Sequence, residues 1–232
     1  MKGIVRQVCP PILWTGLKKL NNLYKKITPI SHKSASSHGQ KLGIYWDQEM
    51  AEILETWGEG TVWDEIQYLL VNCSGKVLDI ACGTGKVMHL VSKFPAIEVY
   101  GCDISDLLIN KAIERGNAKD HLIIGDATKM VYPDSYFNHA YSIGSLEHFT
   151  EDGIIKLLLE CYRVTAISSF HTIPISRSGK NEGWITNNQD YFNNGVAWWL
   201  EKFMSAYQTV FVLDSKWEDD ISIGKWFICI KQ

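Results

Sequence analysis

The sequence has no Cys-x-x-Cys pair, which removes the commonest structural zinc sites and dithiol redox motifs. Cys9, Cys73, Cys82, Cys102, Cys161 and Cys229 are scattered instead, several within apolar runs where a free thiol packs as a small hydrophobe. A reducing cytoplasm is the expected compartment, and no metal is expected. No apolar run approaches the roughly eighteen residues of a membrane span, and Ile12–Leu17 is too short for a signal-peptide core. Acidic residues are missing before Asp47, whereas Lys2, Arg6, Lys18, Lys19, Lys25, Lys26, Lys33 and Lys41 all precede it. The net charge of −3 therefore combines a basic amino-terminal arm with an acidic body. Such a body lacks the broad basic surface that phosphate neutralisation requires, so no nucleic-acid partner is expected.

What is present is enough for one α/β domain: 232 residues, of which 46% are hydrophobic. Leu13, Leu17, Leu20, Tyr24 and Ile27 recur at steps of three and four between lysine pairs, predicting a basic amphipathic helix. That helix either packs on the domain or meets an anionic membrane surface through residues 1–30. Ser31–Gly39 reads as a linker, so residues 1–40 are set apart from a single domain over 41–232. Helical patterning follows over Tyr45–Trp57 and Thr61–Val71, broken at Gly58–Gly60, giving capping helices within 41–72. Strands are predicted at Lys76–Ala81, Ile97–Cys102, His121–Ile124, Asn138–Ile143 and Ala166–Ile173. Helices are predicted between them at Lys86–Phe94, Ser105–Arg115 and Glu151–Val164. Alternation of this kind builds a parallel sheet with right-handed crossovers. A last helix over Gln189–Ala206 and an antiparallel pair, Thr209–Leu213 and Lys225–Lys231, complete the reading.

The densest chemical signal is Val77-Leu-Asp-Ile-Ala-Cys-Gly-Thr-Gly85: a buried strand, a tight turn and then a helix start at Lys86. Glycine lets backbone approach a ligand, and the helix amino terminus exposes unpaired N–H groups. Asp103 follows at the end of the next strand, where a carboxylate can accept from both ribose hydroxyls. A phosphate-binding P-loop fails here, because Ile80 occupies its first glycine position and Val87 follows Lys86. A dinucleotide turn fails as well, since Met88 takes the third glycine position and Asp79 would repel a pyrophosphate. An acidic, phosphate-free pocket remains.

The segment Asp79–Gly85 resembles the first motif of class I S-adenosylmethionine-dependent methyltransferases. The likeness continues through Asp103-Ile104, Gly125-Asp126-Ala127-Thr-Lys-Met130, Pro133–Phe137 and Ser142–His148, covering about 75–174. It implies a Rossmann-like α/β fold: a mostly parallel seven-stranded sheet with an antiparallel carboxy-terminal strand and helices on both faces. It also implies S-adenosylmethionine as cofactor. Asp79, Ala81 and the Gly83–Gly85 backbone would hold its methionine part. Asp103 would bind ribose and Asp126 the adenine amino group, with Ile104 and Ala127 flanking the ring and the Ser142 carbonyl near the sulfonium. A cationic sulfur and an ammonium suit such an acidic pocket. Ala81 departs from a common glycine, Asn138 from a common aspartate, and the usual Pro-Gly-Gly before the fifth strand is missing near Thr165.

The acceptor should meet loops beyond the fourth and fifth strands, with 175–232 supplying an acceptor loop and the final strands. His148 and then His171 are the candidate general bases, because an unperturbed imidazole titrates near neutrality. Tyr45, Glu147, Arg177, Trp184 and Tyr191 are candidate acceptor-binding residues, and Tyr45, Trp46 and Trp63 could form a lid. The Asn/Asp-Pro-Pro-Tyr/Phe signature of nucleobase amino methylation is missing, which favours a small-molecule or glycan acceptor. The basic amino-terminal helix and the runs Tyr191–Asn194, Asp214–Trp217 and Gly224–Trp226 look like methyltransferases of bacterial surface-polysaccharide clusters. That likeness predicts O-methylation of a sugar, or of a sugar-linked phosphorus group, in the cytoplasm and peripherally at the inner membrane. A natural-product or quinone-type methyltransferase and a catalytically idle cofactor-binding regulatory subunit are the alternatives.

Overall fold

The computed structural model describes residues 41–186 and 189–232, all within the compact unit Ala35–Gln232. The amphipathic helix and linker predicted over residues 1–40 lie outside them. A 3-10 turn over Leu42–Trp46 leads into α1 (Gln48–Leu54) and α2 (Val62–Leu70). The first predicted helix is thus split, because the Asp47 side chain accepts from the Glu49 amide and starts a new helix there.

Next come β1 (Gly75–Ile80), α3 (Lys86–Val91), β2 (Ile97–Asp103), α4 (Asp106–Glu114), β3 (Leu122–Ile124), β4 (Phe137–Ile143), α5 (Glu151–Val164) and β5 (Thr165–Ser176). The chain ends with β6 (Trp184–Ile185), β7 (Tyr191–Phe192), α6 (Val196–Met204), β8 (Thr209–Glu218) and β9 (Ser222–Ile230). Seven strands form one sheet in the order β3-β2-β1-β4-β5-β9-β8, and β6 pairs with β7 in a separate hairpin. β1 to β5 are parallel, while β9 runs antiparallel to β5 and β8, so the predicted architecture stands.

The strand order reverses at β1, whose neighbours are β2 and β4. Crossovers leave in opposite directions there and open a crevice beyond the carboxyl ends of those strands. Helices cover both faces. On one, Ile154, Leu157, Leu158, Cys161 and Val164 of α5 form a helical stripe with no exposed surface, packed with Trp199 and Phe203. On the other, Val62, Ile66, Leu70, Val87, Val91 and Ala112 meet Val77, Val99 and Trp226.

Two of the boundaries that differ from prediction shape the site. The last helix begins at Val196, not at Gln189, because Asn193 and Asn194 bond back to Gly183 and direct 189–195 into the β6–β7 hairpin. β5 continues past Ile173 because Pro174, Ile175 and Ser176 still pair with Gly224, Ile223 and Ser222 of β9. No helix among the described residues is long and apolar enough to cross a membrane.

Candidate active site

A cavity of about 370 Å³ opens at the strand-order reversal. Its lining draws on the turn after β1 (Ala81–Val87), the ends of β2 and β3 (Cys102–Ile104, Gly125–Thr128), and the turn after β4 (Ile143–Ser145). Strand ends give the site its rigidity, since each side chain there is anchored by a buried run of backbone.

The turn after β1 takes up left-handed backbone at three positions: Ala81 (φ 57°), Gly83 (φ 55°) and Gly85 (φ 66°). Ala81, where many members of the resembling family have glycine, therefore carries strain that glycine would not. Gly85 is constrained twice, because an added Cβ would lie 2.7 Å from the Ala112 Cβ and would strike the Asn117 amide. Sequence reasoning missed the side chains that hold this turn. Arg115 Nε donates to the Thr84 carbonyl at 2.9 Å and its guanidinium pairs with Glu55. Asn117 Nδ2 donates to the Gly85 carbonyl at 3.0 Å. Arg115 and Asn117 lie 31 and 32 residues beyond the carbonyls they hold, and no local pattern announces them.

Asp79 is buried beneath the turn, with Oδ2 accepting from the Tyr141 hydroxyl at 2.9 Å. Burial drives its carboxyl well above the ordinary range, the Tyr141 bond opposes this, and Asp103 adds to it. The Asp103 carboxylate accepts from Gly83 N and Ser105 N, each at 2.9 Å, joining the glycine turn to the end of β2. Its carboxyl is also raised by burial, with those amide bonds pulling the other way. Asp126 lines the cavity from beyond β3, its Oδ1 holding the Thr128 amide and hydroxyl. Ile104 and Ala127 line it too.

The far wall comes from the amino-terminal segment and the β4–α5 loop. Ser105 Oγ donates to the Tyr45 carbonyl at 2.6 Å and Trp46 Nε1 to Asp106 at 2.8 Å, clamping Leu42–Trp46 onto the start of α4. Leu42, Ile44, Tyr45, Trp57 and Trp63 thereby line the cavity, whereas Trp46 is spent on the clamp. The Tyr45 hydroxyl is raised by burial and by the Glu147 and Asp103 carboxylates. Trp57 packs where a Gly144 side chain would go, 2.9 Å from an added Cβ.

His148 lines this wall. Its Nδ1 lies 2.8 Å from the Asp190 main-chain oxygen, and a carbonyl can only accept, so Nδ1 carries the proton and Nε2 the lone pair. Burial lowers its pKa, against the Asp190 carbonyl and carboxylate. Glu147 points inward rather than into the cavity: it is 3% exposed, Oε1 is 3.8 Å from His148 Nε2, and Oε2 has no hydrogen-bond partner. Burial pushes its carboxyl up to about 8.

Besides Glu147, five residues depart from expectation. His171 is fully buried in mid-strand, because β5 runs five residues beyond it. Its Nδ1 meets Ser142 Oγ at 2.8 Å and its Nε2 meets Ser169 Oγ at 2.9 Å, away from the cavity. Ser142, expected to bring its carbonyl to the site, is not part of the lining, which starts one residue later, at Ile143. Arg177 pairs with Glu218 and the Asp219 carbonyl at the β8–β9 turn, because β5 carries it beyond the crevice. Trp184 and Tyr191 sit in the β6–β7 hairpin. Trp184 packs on Phe192, and Tyr191 reaches the site only through His148, 6.3 Å between ring centres.

Residues 77–167 match the protein family described as a methyltransferase domain. Among curated proteins, the 27-O-demethylrifamycin SV methyltransferase of Amycolatopsis mediterranei is 27% identical over 113 residues, 46% of this chain and 41% of that protein. A ubiquinone/menaquinone biosynthesis C-methyltransferase of Burkholderia mallei is 30% identical over 124 residues, 51% of this chain and 47% of that protein. The chain thus spans under half the length of these curated relatives. The magnesium protoporphyrin IX methyltransferase of Synechocystis PCC 6803, solved with bound S-adenosylmethionine, superposes with a TM-score of 0.61 at 12% identity, over 82% of this chain and 94% of that one. With a methyltransferase-domain match over 77–167 and this sheet order, the chain has the Rossmann-like fold of the S-adenosylmethionine-dependent methyltransferases.

Proposed function

We propose that this chain transfers the methyl group of S-adenosylmethionine to an oxygen of a sugar, or of a sugar-linked phosphorus group, in bacterial capsule or lipopolysaccharide biosynthesis. The observation that supports methyl transfer most directly is one cavity lined by three carboxylates and an imidazole: Asp79, Asp103, Asp126 and His148. The donor set fits the cofactor, since carboxylates suit an ammonium and ribose hydroxyls, and the left-handed backbone at Gly83 puts no side chain into the cavity. Asp79 would hold the ammonium, Asp103 the ribose and Asp126 the adenine amino group. When bound, S-adenosylmethionine supplies a methyl group activated by its positive sulfur.

The protein's own contribution is orientation, exclusion of water and one proton. Trp57, Trp63 and Tyr45 line the cavity, and displacement depends on alignment that a fixed wall maintains. His148, kept neutral by burial, takes the acceptor hydroxyl proton on Nε2. Glu147 beside it keeps its own proton at neutral pH, its pKa pushed up to about 8 by burial, and so places no second charge next to the imidazole before transfer.

The sugar acceptor rests on the resemblance of Tyr191–Asn194, Asp214–Trp217 and Gly224–Trp226 to methyltransferases of surface-polysaccharide clusters. A natural-product or quinone-type acceptor is the second reading, favoured by the rifamycin and ubiquinone/menaquinone relatives. Calorimetric titration with S-adenosylmethionine, followed by mass detection of methylated products across sugar, phosphosugar and quinol acceptors, separates them. No cofactor binding sinks the reading, and binding without transfer to any acceptor indicates a regulatory subunit. Peripheral attachment through residues 1–30 predicts co-sedimentation with anionic vesicles that is lost without residues 1–40.

A further inference from the structure

Asp190 touches the site by two routes. Its main-chain oxygen accepts a hydrogen bond from His148 Nδ1 at 2.8 Å, and its carboxylate, in a side chain only 6% exposed, accepts from Lys41 Nζ at 2.7 Å. Lys41 begins the segment that carries Leu42, Ile44 and Tyr45 over the cavity, while Asp190 immediately precedes β7. The ion pair therefore joins two chain segments 149 residues apart at the cavity wall, and the peptide it anchors selects which imidazole nitrogen is basic.

We propose that Lys41 and Asp190 are positioning residues for His148: their ion pair holds the Asp190 carbonyl against Nδ1, so that Nε2 is the lone-pair nitrogen when Lys41–Tyr45 lies over the site. The proposal rests on the reading of His148 as base for its consequence and not for its test. Removing the carbonyl contact would release the ring to turn or change tautomer, and the lone pair would no longer be confined to Nε2.

Among the described residues, the charged and titratable groups facing His148 include Glu147 on its own turn, Asp190 with Lys41 behind it, Tyr191 on β7, and Tyr45 through Glu147. Asp152 and Lys156 of α5, paired with each other, line the same cavity. Within this set the two members of the ion pair act on the imidazole with opposite sign. Asp190→Asn keeps the main-chain oxygen and removes a negative charge that favours the imidazolium. Lys41→Met keeps the carboxylate and removes the positive charge that offsets it.

The test is a pH titration of full-length protein labelled with ¹⁵N-histidine and saturated with S-adenosylhomocysteine, read by long-range ¹H–¹⁵N correlation. His148 is assigned from the signals lost in His148→Gln. The expected result is an Nδ1–H tautomer in the unmodified protein. Its pKa should fall by about half a unit to one unit in Asp190→Asn, rise by a similar amount in Lys41→Met, and stay in place in Lys41→Arg. An Nε2–H tautomer, no movement in either variant, or movement in the same direction in both would overturn the proposal. Should Asp190→Asn lose its folded spectrum, Lys41→Met against Lys41→Arg decides, because Lys41 is 44% exposed. No acceptor enters the experiment. A correctly poised His148 in a protein that methylates nothing would retire the base and leave the positioning in place.

Discussion

His171 offers the sharpest test of the site assignment, because as a base it would serve turnover and as a buried strut it serves stability. The structure surrounds it with Ser142, Ser169 and Phe203, and burial takes its pKa down to about 3. The unfolded chain binds a proton there below about 6.5, whereas the folded protein refuses it until about pH 3. A depressed folded pKa on a base means that the unfolded state holds more protons, so stability is complete above about 6.5 and is lost progressively as the pH falls toward 3. At about 1.36 kcal/mol per unit, His171 alone removes about 2 kcal/mol between pH 7 and pH 5. That is a large part of the 5–15 kcal/mol typical of a folded domain. The perturbation is His171→Gln, which deletes the titration and keeps a polar side chain for the two serines. Urea unfolding of both proteins without cofactor, at pH 7 and pH 5, gives a difference of differences in which every other titrating group cancels. The unmodified protein should lose about 2 kcal/mol more than His171→Gln across that interval. His171→Gln itself should lie about 1–3 kcal/mol lower at pH 7, from imperfectly paired buried hydroxyls. Equal losses within about 0.5 kcal/mol, with turnover abolished in a stably folded variant, would refute the structural assignment and restore His171 as a catalytic candidate.

Gly85→Ala should abolish cofactor binding by calorimetry and destabilise by about 1–3 kcal/mol, since the Cβ meets Ala112 and the backbone is left-handed. Ala81→Gly relieves about 1–2 kcal/mol of left-handed strain and adds back part of it as chain entropy, so chemical denaturation should show a net gain of about 0.5 kcal/mol. Tyr141→Phe takes a hydrogen bond from the Asp79 carboxylate and raises its pKa further. Affinity for S-adenosylmethionine should therefore fall at neutral pH and recover as the pH rises, and a pH-independent loss would argue against it. His148→Gln should keep cofactor affinity within about twofold while lowering turnover by about 10²–10⁴-fold, the range of a lost general base.

The donor side was legible because its chemistry is local. Asp79, Gly83, Gly85, Asp103 and Asp126 lie at or just beyond the carboxyl ends of three successive strands. A parallel sheet brings consecutive strand ends together whatever the rest of the chain does. The alternation of apolar runs with single helices was enough to state that sheet, and the acidic residue at the start of the glycine turn was enough to exclude phosphate ligands. What holds the turn was not legible: Arg115 and Asn117 reach back about thirty residues from the end of α4, and nothing in their neighbourhood marks them.

The acceptor side depended on where strands stop. His148 and His171 look equivalent in the sequence, each near the end of an apolar run. Pairing with β9 extends β5 to Ser176, which leaves His171 in the sheet interior, while β4 ends at Ile143 and releases His148 into the cavity wall. Arg177 leaves the site for the same reason, and Asp190 enters it because an asparagine turn, not a helix, follows β7. Periodicity and contiguous motifs were enough to specify the sheet and the carboxylates that line the cavity. Which histidine lines it follows from pairings between segments far apart in the chain, and no local pattern records those.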